Sequence, residues 1–297
     1  MEDVCILIPT LNEELNIADV IKGFKDQGFK NILVIDGNST DRTREIAENE
    51  GARVIIQEGK GKGLAVQQAF EVIDNDLIVM IDGDGTYLPS EVNRLIEPIL
   101  KNEADHVVGN RFSGYSKGAF TRLNLLGNKI LNWLFGFAYG VHLKDILSGY
   151  RALTKSSVES LDLNKSGFEI EAEMTIEMVK KEFKIVEVPI TYETRIKSVT
   201  KLNPIRDGLR IGYTLYGLVK TYNPMFYFGL IGAVFIGAGL FCGVYVVFDW
   251  FHNVTRVPLT IFTALLIMTG VQILVFGQLG NLIVALQKET MRALKKK

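Results

Sequence analysis

Asp82-Gly83-Asp84 follows directly on an apolar run, Leu77 to Ile81. Two carboxylates at i and i+2 past such a run offer hard oxygen ligands to one Mg²⁺ or Mn²⁺, ions that bind through carboxylates and substrate phosphates. The same residue types also make an ordinary Asp/Gly turn, so the pair by itself leaves both readings open. Gly59-Lys60-Gly61-Lys62-Gly63 combines small residues with two ammonium groups. That suits a phosphate approaching the backbone, or a flexible basic turn. It is not a Walker P-loop, because Ile56 stands where the first glycine is needed. Arg111 and Arg122 flank a loop ahead of an apolar stretch, Leu123 to Leu143. Guanidinium forks at such a place match the oxygens of a phosphate monoester. His106 and His142 read as structural or solvated, and Cys5 and Cys242 as small buried apolar residues without a disulfide framework.

Positioning these groups requires a scaffold, and the first third of the chain supplies its pattern. Val4 to Ile8, Ile32 to Ile35, Arg53 to Ile56 and Leu77 to Ile81 read as short strands. Helical stretches are expected between them, from Glu13 to about Gln27, from a Thr40-Asp41 cap to about Glu50, and from Leu64 to Ile73. Alternating βα units with apolar strands predict an α/β fold, a mostly parallel sheet with helices on both faces. Ligands of such sheets bind beyond the C-terminal strand ends. Pro9-Thr10, Asp36-Gly37-Asn38 and Asp82-Gly83-Asp84 all fall there.

Taken in order, Pro9-Thr10-Leu11-Asn12-Glu13-Glu14, Asp36-Gly37-Asn38-Ser39-Thr40-Asp41, Gly61-Lys62-Gly63-Leu64-Ala65 and Asp82-Gly83-Asp84 resemble the family 2 glycosyltransferases of GT-A (Rossmann-like) fold. Gly109-Asn110-Arg111-Phe112, Asp145 to Arg151, Gly167 to Met174 and Val188-Pro189-Ile190 narrow the likeness to the polyprenyl (dolichyl) phosphate sugar synthases and their archaeal relatives. The resemblance spans about residues 4–210. It implies that Pro9, Thr10, Asn12 and Glu13 line a nucleotide pocket, that Asp36 meets uracil or ribose, and that Lys62 sits near the nucleotide. It assigns the metal to Asp82 and Asp84, the lipid phosphate to Arg111 and Arg122, and a closing loop to Lys201, with Arg195 and Arg206 as secondary choices. Two departures stand out. Gly37 replaces a frequent second aspartate, and Thr86 replaces the glutamine of many mannose synthases, which favours glucose or N-acetylglucosamine over mannose.

The charge balance carries the remaining organisation. The 297 residues hold 33 Lys/Arg and 34 Asp/Glu, which excludes a nucleic-acid binder driven by global charge. The balance hides a partition: residues 1–224 are net −5 and residues 225–297 net +4. Residues 225–248 and 257–287 are uncharged over 24 and 31 positions, and about 20 apolar residues span a bilayer as a helix. The expected order is a GT-A catalytic domain over 1–200, a juxtamembrane loop and amphipathic helix over 201–224, two transmembrane helices within 225–287, and a basic tail over 288–297. Lys288, Arg292 and Lys295 to Lys297 against Arg256 alone in the link place both termini in the cytoplasm. The acidic start Met1-Glu2-Asp3 is unlike a secretory signal and agrees. Small residues at Ala233/Gly237 and Gly239/Gly243 suit either hairpin packing or homo-oligomer contacts. The stretch after Arg122, with Trp133, Phe135, Phe137 and Tyr139, suits either a core helix or a membrane-interface segment.

The resemblance then implies inverting, metal-dependent transfer from a UDP-sugar to dolichyl phosphate, serving protein glycosylation or cell-envelope glycans. The partners are the donor, the lipid acceptor and the bilayer. Glu169, Glu171 and Glu173 lie where hydroxyl-using relatives keep a base and read as structural or as pocket polarity. A sugar-hydroxyl acceptor or a non-catalytic membrane scaffold are the alternatives. A processive polysaccharide synthase is disfavoured, because neither Trp133 nor Trp250 closes a Q-x-x-R-W.

Overall fold

The computed structural model describes residues 3–164, 167, 169–195, 213 and 224–295, with residues 287–295 as backbone only. The chain divides into two compact units, Met1–Thr214 and Leu215–Lys297.

Seven strands form the sheet of the first unit: β1 (Val4–Thr10), β2 (Ile32–Asp36), β3 (Arg53–Ile56), β4 (Leu77–Met80), β5 (His106–Tyr115), β6 (Arg151–Thr154) and β7 (Ile185–Tyr192). Their order is β3-β2-β1-β4-β6-β5-β7. β6 alone runs against its neighbours, pairing Met80 with Arg151 and Val108 with Arg151 on its two sides. Helices α1 (Ile17–Asp26), α2 (Thr43–Asn49), α3 (Lys62–Val72), α4 (Val92–Leu100), α5 (Arg122–Tyr139), α6 (Lys155–Glu159) and α7 (Ile170–Lys180) accompany it. Every residue of β1, β2 and β4 is buried. Alternate side chains feed opposite faces: Ile6, Ile8 and Val34 pack with Phe24 and Tyr150 on one side, and Cys5, Leu7 and Ile35 with Val66 and Met174 on the other. Burial pushes the Cys5 thiol up to about 12, so it stays protonated.

The expected strands agree with β1 to β4 to within a residue or two at their ends. Three helix starts differ. α3 begins at Lys62, two residues ahead of the expected Leu64. α1 begins at Ile17 rather than Glu13, because Glu13 is tied sideways to the next unit: its N–H donates to Thr43 Oγ1 at 2.8 Å and its carboxylate accepts from Asn16 Nδ2. α2 begins at Thr43, with Asp41 Oδ1 accepting the Thr43 N–H at 3.0 Å just ahead of it.

The second unit contains two helices long and apolar enough to cross a membrane, α8 (Pro224–Phe251) and α9 (Val257–Lys295). They pack against each other through glycines. A Cβ on Gly232 would lie 2.8 Å from the Gly270 carbonyl, and one on Gly239 would lie 2.6 Å from Ile267. Gly237 faces nothing within 4 Å. The Gly239 repeat therefore serves the hairpin, and Gly237 does not. The link is closed by an ion pair between Asp249 and Arg256.

Candidate active site

The strand register brings the polar clusters together. Thr10 and Asp36 end β1 and β2 as direct neighbours in the parallel ladder. Asp82 and Asp84 lie just beyond β4, which flanks β1 on its other side. Gly83 permits this approach, because a Cβ there would stand 2.6 Å from Thr10 Cγ2. The Thr10 hydroxyl is buried without a hydrogen-bond partner among the described residues. Asn12 and Asn38 both take left-handed backbone angles, φ 50° and 65°, which asparagine tolerates better than most residues. Asn12 is fixed to the β2 loop: its N–H donates to Ser39 Oγ, and its side-chain oxygen accepts from Thr40 N, both at 2.8 Å.

Asp36 is fully buried. Its carboxylate accepts from Ser39 N at 2.9 Å and from Ser39 Oγ, and faces Arg44 Nε at 3.6 Å. Its side chain thus shapes the 36–40 turn, while the Gly37-Asn38 backbone forms the surface of that turn.

Each aspartate of the D-x-D pair meets a cation. Lys62, the first residue of α3, donates to Asp82 Oδ1 and forms a second ion pair with Glu171 of α7. Burial alone would lower the Lys62 ammonium. The two carboxylates outweigh it and hold the group well above the ordinary lysine range, so it is a permanent charge. Asp84 is buried; its Oδ1 accepts from Thr86 N at 3.0 Å and from Thr86 Oγ1 at 2.6 Å, and its Oδ2 is paired with Arg195. Thr86 therefore orients Asp84. Arg195 reaches it because Glu193 N donates to Thr86 O at 2.8 Å, tying the end of β7 to this turn.

The segment 145–151 forms the next wall. A Cβ on Gly149 would lie 2.5 Å from Asp82 Oδ2, so the glycine lets this backbone pass with the carboxylate left in place. Its N–H donates to Tyr87 Oη at 2.9 Å. Arg151, completely buried, clamps the segment through Ser148 O at 2.7 Å, Ile146 O at 2.6 Å and Thr175 Oγ1 at 2.7 Å. His106 lies buried beside it. Burial, reinforced by the Arg151 charge, pushes its imidazole well below the usual range and keeps it neutral.

Arg111 is gripped by Asp145 of the same segment. Nε and Nη2 donate to its two oxygens at 2.7 Å each, and the Arg111 N–H adds a third bond at 3.1 Å. Phe112, Phe120 and Tyr192 surround the guanidinium at 5.4–5.9 Å. Glu187 holds Asp145 in turn, accepting from Lys144 N and Asp145 N at 2.8 Å. Arg122 stands exposed at the first turn of α5. Lys201, Arg206, Phe168 and the 209–222 stretch lie outside the described residues, apart from an exposed Tyr213.

The donor chemistry of Asp82 and Asp84 fits a hard divalent cation, with two carboxylates on one short turn. Three carboxylates, Asp82, Asp84 and Glu171, face two cations, Lys62 and Arg195, so the cluster keeps a net negative charge. The partners Glu171, Arg195, Asp145 and Gly149 were not legible as such in the sequence. Glu171 lay in the Gly167 to Met174 motif and Arg195 was a secondary choice for the closing loop, but neither pattern named its partner.

Residues 5–161 match the family described as glycosyl transferase family 2. Among curated relatives, glycosyltransferase AglJ of Haloferax volcanii is 46% identical over 292 residues, covering 97% of this chain and 96% of the relative. A dolichyl-phosphate hexose transferase of the same organism is 34% identical over 218 residues, covering 72% and 92%. Among solved structures, glucosyl-3-phosphoglycerate synthase from Mycobacterium tuberculosis, crystallised with Mn²⁺, UDP-glucose and phosphoglyceric acid, superposes with TM-score 0.61. It is 25% identical, and the match covers 73% of this chain and 79% of that one.

Proposed function

Because the chain belongs to glycosyl transferase family 2 and is a glycosyltransferase, we propose that it moves a hexose, glucose or N-acetylglucosamine, from a UDP-sugar to dolichyl phosphate with inversion. The reaction takes place at the cytoplasmic face of the membrane that the hairpin crosses, and the product feeds protein glycosylation or cell-envelope glycans. The observation that carries this reading is the convergence of Thr10, the Asp36 turn and the two cation-paired aspartates at adjoining strand ends. The dolichyl-phosphate hexose transferase and the UDP-glucose complex support the two substrates.

Pro9, Thr10, Asn12 and Glu13 with the 36–38 turn receive the nucleotide. Asp82 and Asp84 would hold Mg²⁺ or Mn²⁺, which when bound neutralises the diphosphate as a Lewis acid. Arg195 turns from Asp84 to the diphosphate oxygens as the donor enters, Lys62 keeps its carboxylate partners beside them, and Lys201 adds a third cation. Lys62 cannot act as a proton donor, since its charge is pinned by Asp82 and Glu171. It stabilises the leaving UDP as a fixed charge.

The acceptor brings its own nucleophile. A phosphate monoester has a second pKa near ~6 and is largely dianionic at neutral pH, so no general base is required. The glutamates agree with that. Glu171 is engaged by Lys62, and Glu173 accepts from the Asn164 N–H at 3.1 Å. Arg111, with the one nitrogen Asp145 does not use, and Arg122 orient the phosphate for attack on the anomeric carbon.

The test incubates membranes carrying the protein with a panel of UDP-sugars, dolichyl phosphate and Mn²⁺. One donor yields lipid-linked sugar, and Asp84→Ala lowers the rate by about a hundredfold. Absence of product with every donor overturns the reading, and full activity in Asp84→Ala overturns the metal assignment.

A further inference from the structure

The turn after β2 forms a crevice whose floor carries no side chain. A Cβ on Gly37 would stand 3.1 Å from Thr10 O, 3.3 Å from Gln57 Oε1 and 3.4 Å from Leu11 Cβ. Any larger residue would fill the space between Leu11 and Gln57, and glycine leaves it to the edge of a flat ring. Leu11, just beyond β1, is an exposed apolar side chain able to cover one face of such a ring. The floor is stapled from three sides. Gly37 N donates to Thr10 O at 2.7 Å, Gln57 N to Asp36 O at 2.9 Å, and Asn38 Nδ2 to Gln57 O at 3.1 Å.

Gln57 is the polar wall of the crevice. It follows β3 directly and is only 4% exposed. Its one side-chain hydrogen bond among the described residues runs from Nε2 to Gly61 O at 3.4 Å. Gly61 presents that carbonyl from a backbone angle of φ 109°, a conformation that favours glycine. An amide oxygen turned toward the carbonyl would be repelled, so the nitrogen stays there and Oε1 stays at Gly37 as an unused acceptor. A buried acceptor without a donor is costly, and such an atom beside a crevice points to a donor on a ligand. The neighbouring Asp36 carboxylate is already engaged by Ser39 and Arg44.

We infer that this crevice seats the base of the donor nucleotide and that Gln57 Oε1 accepts a hydrogen bond from a ring N–H. The inference deepens the UDP-sugar reading above and rests on it. Uracil carries a proton on N3, whereas cytosine carries a lone pair there. The acceptor thus attracts one base and repels the other, which is how a single oriented amide discriminates between rings of equal size. Gln57 determines which nucleotide is bound and takes no part in sugar transfer.

The test is calorimetric titration of the full-length protein in detergent, with Mn²⁺ present, using UDP, CDP and N3-methyl-UDP. UDP binds at least ~10-fold more tightly than the other two, since both leave Oε1 without a proton. Gln57→Met keeps the length of the side chain and removes the acceptor. It weakens UDP ~10-fold, leaves CDP unchanged and hardly moves the melting temperature, so the preference disappears. The N3-methyl comparison needs no variant: N3-methyl-UDP binding as tightly as UDP overturns the inference. A UDP preference over CDP that survives Gln57→Met also overturns it and leaves the UDP-sugar reading standing. Equal binding of UDP and CDP by the unsubstituted protein, or binding of neither, overturns that reading and the inference with it.

Discussion

Lys62 carries a charge that physiological pH does not remove. Its folded-state value stands above the ordinary 10.5 because Asp82 and Glu171 outweigh the cost of burying it. The pair interaction therefore stabilises the fold fully below that ordinary value and is lost only as pH rises through the folded one. Two outcomes follow. Lys62→Met lowers kcat by ~10²–10³ with a smaller change in KM, as for loss of a fixed transition-state charge. Between pH ~6 and ~9 the rate profile contains no limb that disappears in that variant. Asp145 is a second buried charge held by an opposite one. It is completely buried and pairs with an Arg111 side chain only 11% exposed. Asp145→Ala leaves a guanidinium buried without its carboxylate, and thermal or denaturant unfolding should show a loss of ~3–5 kcal/mol. A loss below ~1 kcal/mol, the size of a surface pair, would mean that Arg111 had found water or another partner.

At the scale of elements, the segment between α5 and β6 joins the two halves of the site. It presents Asp145 to Arg111 and Gly149 to Asp82, and is anchored below by Arg151 and Thr175. A methyl at position 149 would meet Asp82 Oδ2 at 2.5 Å. Gly149→Ala should push Asp82 off its position and lower activity at least ~10-fold, a size expected of a misplaced reacting group. The melting temperature should move little, since a carboxylate can yield where backbone cannot. A large fall in stability with normal activity per folded molecule would contradict this. The first four strands were legible because burial on both sides makes each an unbroken apolar run. The antiparallel insertion of β6 was not. Arg151, a fully buried charge at its head, breaks the apolar pattern, and only the oxygens it meets at Ser148, Ile146 and Thr175 explain its presence there. The orientation of α5 was undecided for a related reason. Asparagines and leucines alternate around it, and periodicity says that the faces differ without saying which is inside.

For the whole molecule, two units of opposite charge share one chain, and the apolar unit is built on close helix contact. Gly232 and Gly270 approach until a Cβ on either would strike the other's carbonyl at 2.8–2.9 Å, whereas Gly237 has open space. Gly232→Val should split or shift the hairpin and lower the unfolding temperature in detergent, and Gly237→Val should not. Equal effects would place Gly237 in a contact between copies. The sequence by itself determined the family, the strand-and-helix rhythm, the two apolar spans and the D-x-D pair, because these are written in local composition and short spacing. Tertiary structure decided which partner each charge meets: Glu171 for Lys62, Arg195 for Asp84, Asp145 for Arg111. Those partners lie 34 to 111 residues apart in the chain. Buried charges are stabilised by whatever opposite charge the fold carries to them, and no local pattern records that distance.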